Sequence, residues 1–474
     1  MIKELNISQE WLTRRTGDPF ADIGGLVIEY LQQKNPGKSI FDLIKETTYT
    51  YVNQWNNNLH SFFLNSTITH NSSKGQKGID KTLAYFNGLL IDKDTYKNEY
   101  VEPEEGYCRI TGQKGKVFNG GRDNHVMSGS GTLINFHHGF ESGIRLSKEA
   151  LIRIFFLPLG VEQLGDKVAV LISNNDDVTR YFVRQNVDNN FRDIGSNISK
   201  SIQCSDFNNP ANALFDYADQ CIQNVKTATY NEEIGRSNTR GVTLNLFHFT
   251  NFGASPTIKL YTIPATVFAF YAYCLTEHQK EWKRFIYQHF SSSKFKNAQY
   301  NEATSSWTNS KDIADYGTFK TWRNVIFENL LKNQSLLRYF LYYSKKNQIN
   351  FKIVEQYQIN IHNMDKRTLT KIKGLADFII LNRSDDEIKK SITRLNGTKS
   401  SHDIRYFLLK LTDQNYKEGN REPLFTLDEY VEYLFPDGVS WREIRDLLII
   451  AIYQKLHEAN KKIEVELQEN QFNN

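Results

Sequence analysis

The chain is poor in the residues that most often announce a chemistry. Its 474 residues include four cysteines, Cys108, Cys204, Cys221 and Cys274, with no paired spacing among them, which excludes a disulfide framework. No long apolar run is present. The longest stretch, Thr262 to Leu275, contains Pro264 and falls short of the ~20 residues a bilayer demands, so it reads as a buried helix or strand. A surplus of charge is missing as well: 58 Lys and Arg face 54 Asp and Glu, a net +4, so any nucleic-acid site must be a local patch. The phosphate-binding P-loop, the Gly-x-Ser-x-Gly nucleophile elbow and the His-Glu-x-x-His zinc helix are all absent, which removes the commonest catalytic signatures. The opening Met1 to Trp11 has no apolar core of the signal-peptide kind, and a reduced, cytoplasmic setting is the expectation.

What remains is globular. Hydrophobic residues make up 39% and aromatics 13% of the chain, enough to bury real cores, and the length suggests about three domains at ~150 residues each. The pattern predicts an α+β, multidomain protein. Residues 1–105 read as an amino-terminal, mostly helical region, with apolar periodicity at Ile23–Leu31 and Ile40–Tyr49 and a polar loop from Asn65 to Gly78. Residues 106–160 read as glycine-rich and loop-like up to about 145, followed by a helix over Ser147–Phe156 that Pro158 and Gly160 stop. Residues 161–360 alternate short β-rich runs, such as Val168–Ser173 and Val242–Phe249, with aromatic helical segments. Residues 361–474 read as a helical bundle. Capping boxes are predicted at Ser384 with Glu387, Thr426 with Glu429 and Ser440 with Glu443, each opening a helix. In the last of these, Ile444, Leu447, Leu448, Ala451 and Leu456 recur near 3.6-residue spacing and predict one apolar face.

The densest local signal is Thr16-Gly17-Asp18-Pro19-Phe20-Ala21-Asp22-Ile23-Gly24-Gly25. Pro19 disfavours a helical Asp18, so a turn is expected there, with Gly24 and Gly25 supplying positive φ or close approach before a helix starts at Leu26. Three further segments follow: Gly106-Tyr-Cys-Arg-Ile-Thr-Gly112 with Ile134 to Gly143, Phe156-Leu-Pro-Leu-Gly160, and Leu246 to Gly253 followed by Ile263-Pro264. In this order they resemble the large subunits of type I-B CRISPR effector complexes (Cascade), in the branch marked by two Cys-x-x-Cys pairs.

That resemblance implies a non-catalytic protein that recognises the protospacer-adjacent motif in duplex DNA and supports R-loop formation in antiviral defence. The implied partners are the other Cascade subunits, CRISPR guide RNA, target double-stranded DNA and a separately recruited helicase-nuclease, with no membrane and no cofactor. The two cysteine pairs would supply four thiolates for zinc. Here they fall on Cys108-Arg-Ile-Thr111 and Ser147-Lys-Glu-Ala150, so one ligand of four survives and a metal-free ribbon is expected, packed by Ile110, Phe136, Phe140 and Leu146. His125, His137 and His138 lie near it in sequence.

Between the two positions, Gln113, Lys114, Lys116, Asn119, Arg122 and Asn124 interleave cations and amides with glycines, a composition suited to phosphates and base edges. Arg236, Asn238 and Arg240 form a second, glycine-bounded basic loop. Two other classes stay open. His402-Asp403 could belong to a metal-dependent nuclease or phosphohydrolase, although a helix cap explains the pair more simply, as a turn explains Asp176-Asp177. A scaffold without nucleic acid is the third. Most of the six tryptophans are expected to anchor cores rather than to stack on bases. Met364, one of three methionines, opens the helical tail. In the resembled family this region is also made separately as a small subunit from an internal start, and Met364 is the candidate start here. Lys366, Arg367, Lys371, Lys373, Lys389, Lys390 and Arg394 would then offer basic stripes to single-stranded DNA.

Overall fold

A computed structural model describes residues 7–56, 58–59, 61–63, 74–90, 103–128, 140, 143–225, 230–231, 236–237, 241–250, 257–314, 317–381, 383–436, 440–463 and 465. The chain forms two compact units: Met1–Thr227 with Val242–Pro264 and Asp315–Arg323, and Ala228–Gly241 with Ala265–Ala314 and Asn324–Asn474. The architecture is α+β, with several small sheets and a helical carboxy-terminal region. None of the described helices is long and apolar enough to cross a membrane.

The first unit is organised by two helices, Pro19–Lys34 and Lys148–Phe156. The first begins earlier than the sequence suggested. Asp18 is its N-cap, accepting from Phe20 N–H at 3.0 Å and Ala21 N–H at 2.8 Å, and Pro19 fills the first helical position, where no donor is needed. Gly24 and Gly25 therefore lie inside the helix, and neither takes a positive φ. Their role is approach. A Cβ on Gly24 would sit 1.8 Å from the Arg153 carbonyl oxygen, and one on Gly25 would press on the Arg153 guanidinium and the Leu12 carbonyl at 3.1 Å.

Arg153 enters the space the two glycines leave open. Its guanidinium is fully buried and donates to the carbonyls of Ala21 (2.8 Å), Arg14 (2.7 Å) and Trp11 (3.1 Å) and to Asp22 Oδ1 (2.6 Å). Asp22 in turn accepts from Thr16 N–H, the Thr16 hydroxyl and Gly17 N–H. Gly17, at φ +87°, makes the turn that permits this. The helix runs on into a tight turn, Leu157–Gly160, packed against Val27 and Ile23.

Beyond that turn lies an antiparallel sheet of four strands in chain order, Glu162–Leu164, Lys167–Ser173, Leu244–Thr250 and Thr257–Ile263. The apolar runs at Val168 and Leu244 pair directly, with Val170 opposite Phe247 and Leu171 opposite Leu246. Two helices, Asp176–Gly195 and Pro210–Asn224, are inserted between the second and third strands. Asp176 and Asp177 open the first of them after the Asn175 cap, and Asp176 pairs with Arg15 at 2.6 Å, so they are helix residues and not a turn.

The second unit is mainly helical. Its aromatic core joins Phe270 to Trp282 (5.3 Å), Phe285 to Phe340 (4.9 Å, stacked) and Phe340 to Tyr357 (5.5 Å). Trp282 and Trp307 are buried in this unit, as Trp55 and Trp322 are in the first, while Trp11 and Trp441 are half-buried. Capping boxes form at Ser384 and Thr426, and at Ser400 with Asp403, whereas Ser440 caps Arg442 N–H without a reciprocal bond to Glu443. The helix Trp441–Glu458 is central. Leu447 through Tyr453 are buried without a break, so the expected single apolar face is in fact an apolar girth, covered in part by Lys366–Ile380 and Leu337–Ser344.

Replacing Arg153 with alanine strands Asp22 as a buried charge and is expected to cost about 3–5 kcal/mol. Gly24→Ala should be at least as damaging, and Gly37→Ala, which meets open space, close to neutral. Urea midpoints of the three variants check the order.

Candidate nucleic-acid interface

The segment read as a glycine-rich loop is a three-stranded antiparallel sheet, Glu104–Tyr107, Lys114–Gly120 and Ile144–Ser147. Single-sequence patterning hides it because the middle strand, Lys-Gly-Lys-Val-Phe-Asn-Gly, carries two glycines and an asparagine, all of low strand propensity. The close packing is visible at Gly120, where a Cβ would meet the Leu146 side chain at 2.5 Å.

Pleating divides the candidate residues between faces. Lys114 and Lys116 share one face, where Lys114 lies opposite Tyr107 and Lys116 opposite Glu105. Both lysines are exposed, and Tyr107 is 63% exposed beside them. Lys148 stands near Lys116; burial lowers its pKa, Glu149 opposes that, and the Lys116 charge lowers it further. Asn119 falls on the other face, exposed and opposite Arg145, which bridges to Glu104 at 3.2 Å. Gln113 and Arg122 are exposed at the two ends of the strand.

Asn124 behaves differently. It is buried, its Oδ1 accepts from Gly121 N–H at 2.8 Å, and its amide nitrogen donates to Tyr85 Oη and the Asn119 carbonyl. This amide stitches the turn to the helix Gly75–Leu90 and is not presented to solvent. His125 beside it is buried too, and burial pushes its pKa down against the opposing charge of Asp18. Of the second basic loop, Arg236 lies in a two-residue strand paired with Asn231, while Asn238 and Arg240 fall outside the described residues, as do Phe136, His137 and His138.

The geometry does unite Cys108, Thr111 and Ser147. Burial pushes the Cys108 thiol up, but hydrogen bonds to the sulfur from the Thr111 side chain and from the backbone N–H groups of Ser147, Thr111 and Ile110 outweigh it and leave the thiol below its ordinary value. Thr111 N–H lies 3.4 Å from Sγ, and the Ser147 hydroxyl accepts from Ala150 N–H at 3.3 Å. The donor set does not fit zinc: one thiol, two hydroxyls and a methyl cannot supply four soft ligands. Ile110 and Leu146 pack into the core, whereas Phe140 is 71% exposed at φ +60° and does not.

A second surface lies in the helical unit. On the helix Ser401–Lys417, Tyr406 is 45% exposed. His402 stacks parallel to it at 6.3 Å, and the Arg394 and Lys410 cations lie over its ring at 5.3 and 5.4 Å. Lys389, Lys390 and Arg394 have no carboxylate at ion-pair distance among the described residues, but Arg367, Lys371 and Lys373 pair with Asp365, Glu429 and Glu355. The stripe expected from sequence is therefore half neutralised. Asp403 is a cap. It accepts from Lys399 and Ser400 N–H at 2.9 Å, and these bonds hold its carboxyl below the usual range. Among the described residues no group of three His, Cys, Asp or Glu is disposed to hold a metal ion.

Residues 343–474 match the family model of the DevT C-terminal domain. The matched segment takes in Tyr406, the cations around it and the central helix. No curated protein and no solved structure matches the chain.

The protein is expected to purify without stoichiometric zinc. Elemental analysis of the purified chain checks this, and close to one zinc per chain would contradict it.

Proposed function

We propose that this chain is the non-catalytic large subunit of a type I-B Cascade complex, recognising the protospacer-adjacent motif in duplex DNA and supporting R-loop formation in antiviral defence. The observation that carries the reading is the match of residues 343–474 to a domain of DevT, a protein associated with type I-B Cascade. It agrees with the resemblance of the amino-terminal motifs, which lie outside the matched segment. On this reading the protein assembles with other Cascade subunits and guide RNA, pairing between guide and target carries most of the sequence recognition, and cleavage falls to a recruited helicase-nuclease.

The two surfaces suit two forms of DNA. Lys114 and Lys116 stand on one face of a strand with an exposed tyrosine, an arrangement that suits the phosphates of a duplex, while the exposed Gln113 and Arg122, with Asn119 on the opposite face, are the groups assigned to base edges. The Tyr406 ring, flanked by Arg394 and Lys410, suits an unpaired base with phosphates alongside. Lys114→Ala with Lys116→Ala is expected to weaken duplex binding by the assembled complex and to reduce the slope of log K against log salt by up to about 2. Asn119→Ala should instead alter motif preference. Filter binding over a salt series and a library of motifs measures both.

Internal initiation at Met364 completes the proposal, with the product serving as a small subunit. Met364 is buried in the turn between the helices Phe351–His362 and Lys366–Ile380, its N–H bonded to the Gln358 carbonyl. A chain starting there lacks Ser344, whose carbonyl is bonded by His457, and Phe351, whose N–H is bonded by Gln454. One flank of the central helix is then uncovered, so the product must re-cover it by assembly. Intact-mass analysis of the complex from an untagged gene is expected to find a second polypeptide beginning at or near Met364. Finding only full-length chain, unchanged on silencing the internal codon, would exclude it.

A further inference from the structure

The strand Lys114–Gly120 ends in a turn, Gly121–His125, in which Arg122 is the exposed residue. The turn closes on its own main chain. The Gly121 carbonyl accepts from Asn124 N–H at 3.0 Å and from His125 N–H at 2.7 Å, while Gly121 N–H donates to Asn124 Oδ1 at 2.8 Å. Both polar groups of Gly121 are thus fixed immediately before Arg122.

The Asn124 amide nitrogen completes the arrangement, donating to the Asn119 carbonyl at 3.3 Å and to Tyr85 Oη at 3.2 Å. Tyr85 is buried and belongs to the helix Gly75–Leu90, so the turn is moored to an element outside its own sheet. An ionised aspartate at 124 would keep only the bond from Gly121, because a carboxylate has no donor. At the strand end, Gly120 lies too close to Leu146 for any side chain. A side chain that leaves a main chain so held starts from a fixed point, and less freedom is lost when it binds.

Arg122 itself is not engaged by an acid. Among the described residues it forms no ion pair, unlike Arg145 on the neighbouring strand, which Glu104 holds at 3.2 Å. Asp123 beside it is half-buried, and burial raises its carboxyl against a hydrogen bond from its own backbone and the Arg122 charge. Lys114 and Lys116 lie nearer the start of the strand, and mobile ammonium groups are sufficient for phosphates. A guanidinium on a fixed turn suits a different task. Its planar fork matches the paired O6 and N7 acceptors that guanine presents in the major groove.

We propose that Arg122 reads a guanine of the protospacer-adjacent motif from the major groove, and that Asn124 and Tyr85 are positioning residues that hold its turn. The inference rests on the duplex-recognition reading given above and names a base that the reading leaves open.

Binding of the assembled complex to duplexes carrying every motif variant tests it. Arg122→Ala is expected to weaken binding of the preferred duplex by about 5- to 100-fold, with the loss confined to duplexes that carry guanine at one position. Replacing that guanine with 7-deazaguanine, which lacks the N7 acceptor, should weaken the wild type and leave Arg122→Ala unaffected. Arg122→Lys should not restore the preference. Tyr85→Phe, which keeps the ring and removes the hydroxyl, should reduce discrimination at the same position severalfold without changing the salt slope, and should have no further effect on discrimination when Arg122 is already alanine. These ratios of affinities do not depend on the fraction of each variant that is folded. A uniform loss across all sequences, with the salt slope reduced by about 1, makes Arg122 a phosphate contact and overturns the proposal. A preferred motif without guanine, or a preference indifferent to Arg122→Ala, overturns it too. Discrimination that depends on Arg122 but is untouched by Tyr85→Phe overturns the positioning role. Absence of duplex binding by the wild-type complex overturns the duplex-recognition reading itself.

Discussion

Arg153 is the residue on which the first unit depends. A guanidinium removed from water must have its donors filled, and here they go to three main-chain carbonyls and one carboxylate drawn from residues 11 to 22. The bonds converge only if two helices touch backbone to backbone, which is the reason Gly24 has no alternative. Charge, turn and packing are one arrangement: Gly17 bends the chain so that Asp22 can collect three donors from Thr16 and Gly17, and Asp22 then holds the arginine. A short motif near the amino terminus and a helix more than 120 residues later are thus tied by chemistry that neither segment displays alone.

Local signals in the sequence survived where local energetics decide them. The helix Ile40–Tyr49, the Ser384 and Thr426 capping boxes and the strands around Val168 and Leu246 are set by period and caps, and both are short-range. Three readings failed because their causes are long-range. Gly24 and Gly25 looked like turn residues, since nothing nearby reveals that Arg153 will press on them. The strand Lys114–Gly120 looked like a loop, since its hydrogen bonds lie with partners on either side in the sequence, one of them about 25 residues away. Asn124 looked like a base reader because an amide in a polar stretch reads the same whether it faces DNA or a buried tyrosine hydroxyl.

The same limit applied to the sites. Lys114 and Lys116 could be chosen from composition, but their shared face, and the separation of Asn119 from it, follow only from the pleat. Cys108, Thr111 and Ser147 were brought together by resemblance and meet in space, where the Thr111 side chain and three backbone N–H groups hydrogen-bond the Cys108 sulfur.

The interleaving of the two units bears on how the protein is made. The second and third strands of the four-stranded sheet are separated by some seventy residues, and the first unit is completed only by Asp315–Arg323, where the Trp322 carbonyl accepts from Asn212. A ribosome releases the chain from its amino end, so the usual order, in which one domain closes before the next begins, is unavailable here. For the time it takes to synthesise the intervening stretch, a nascent helix pair and half a sheet wait with their apolar faces uncovered. The edge of that unfinished sheet is a template for the wrong strand. That exposure lasts at least until the strand Leu244–Thr250 has been made.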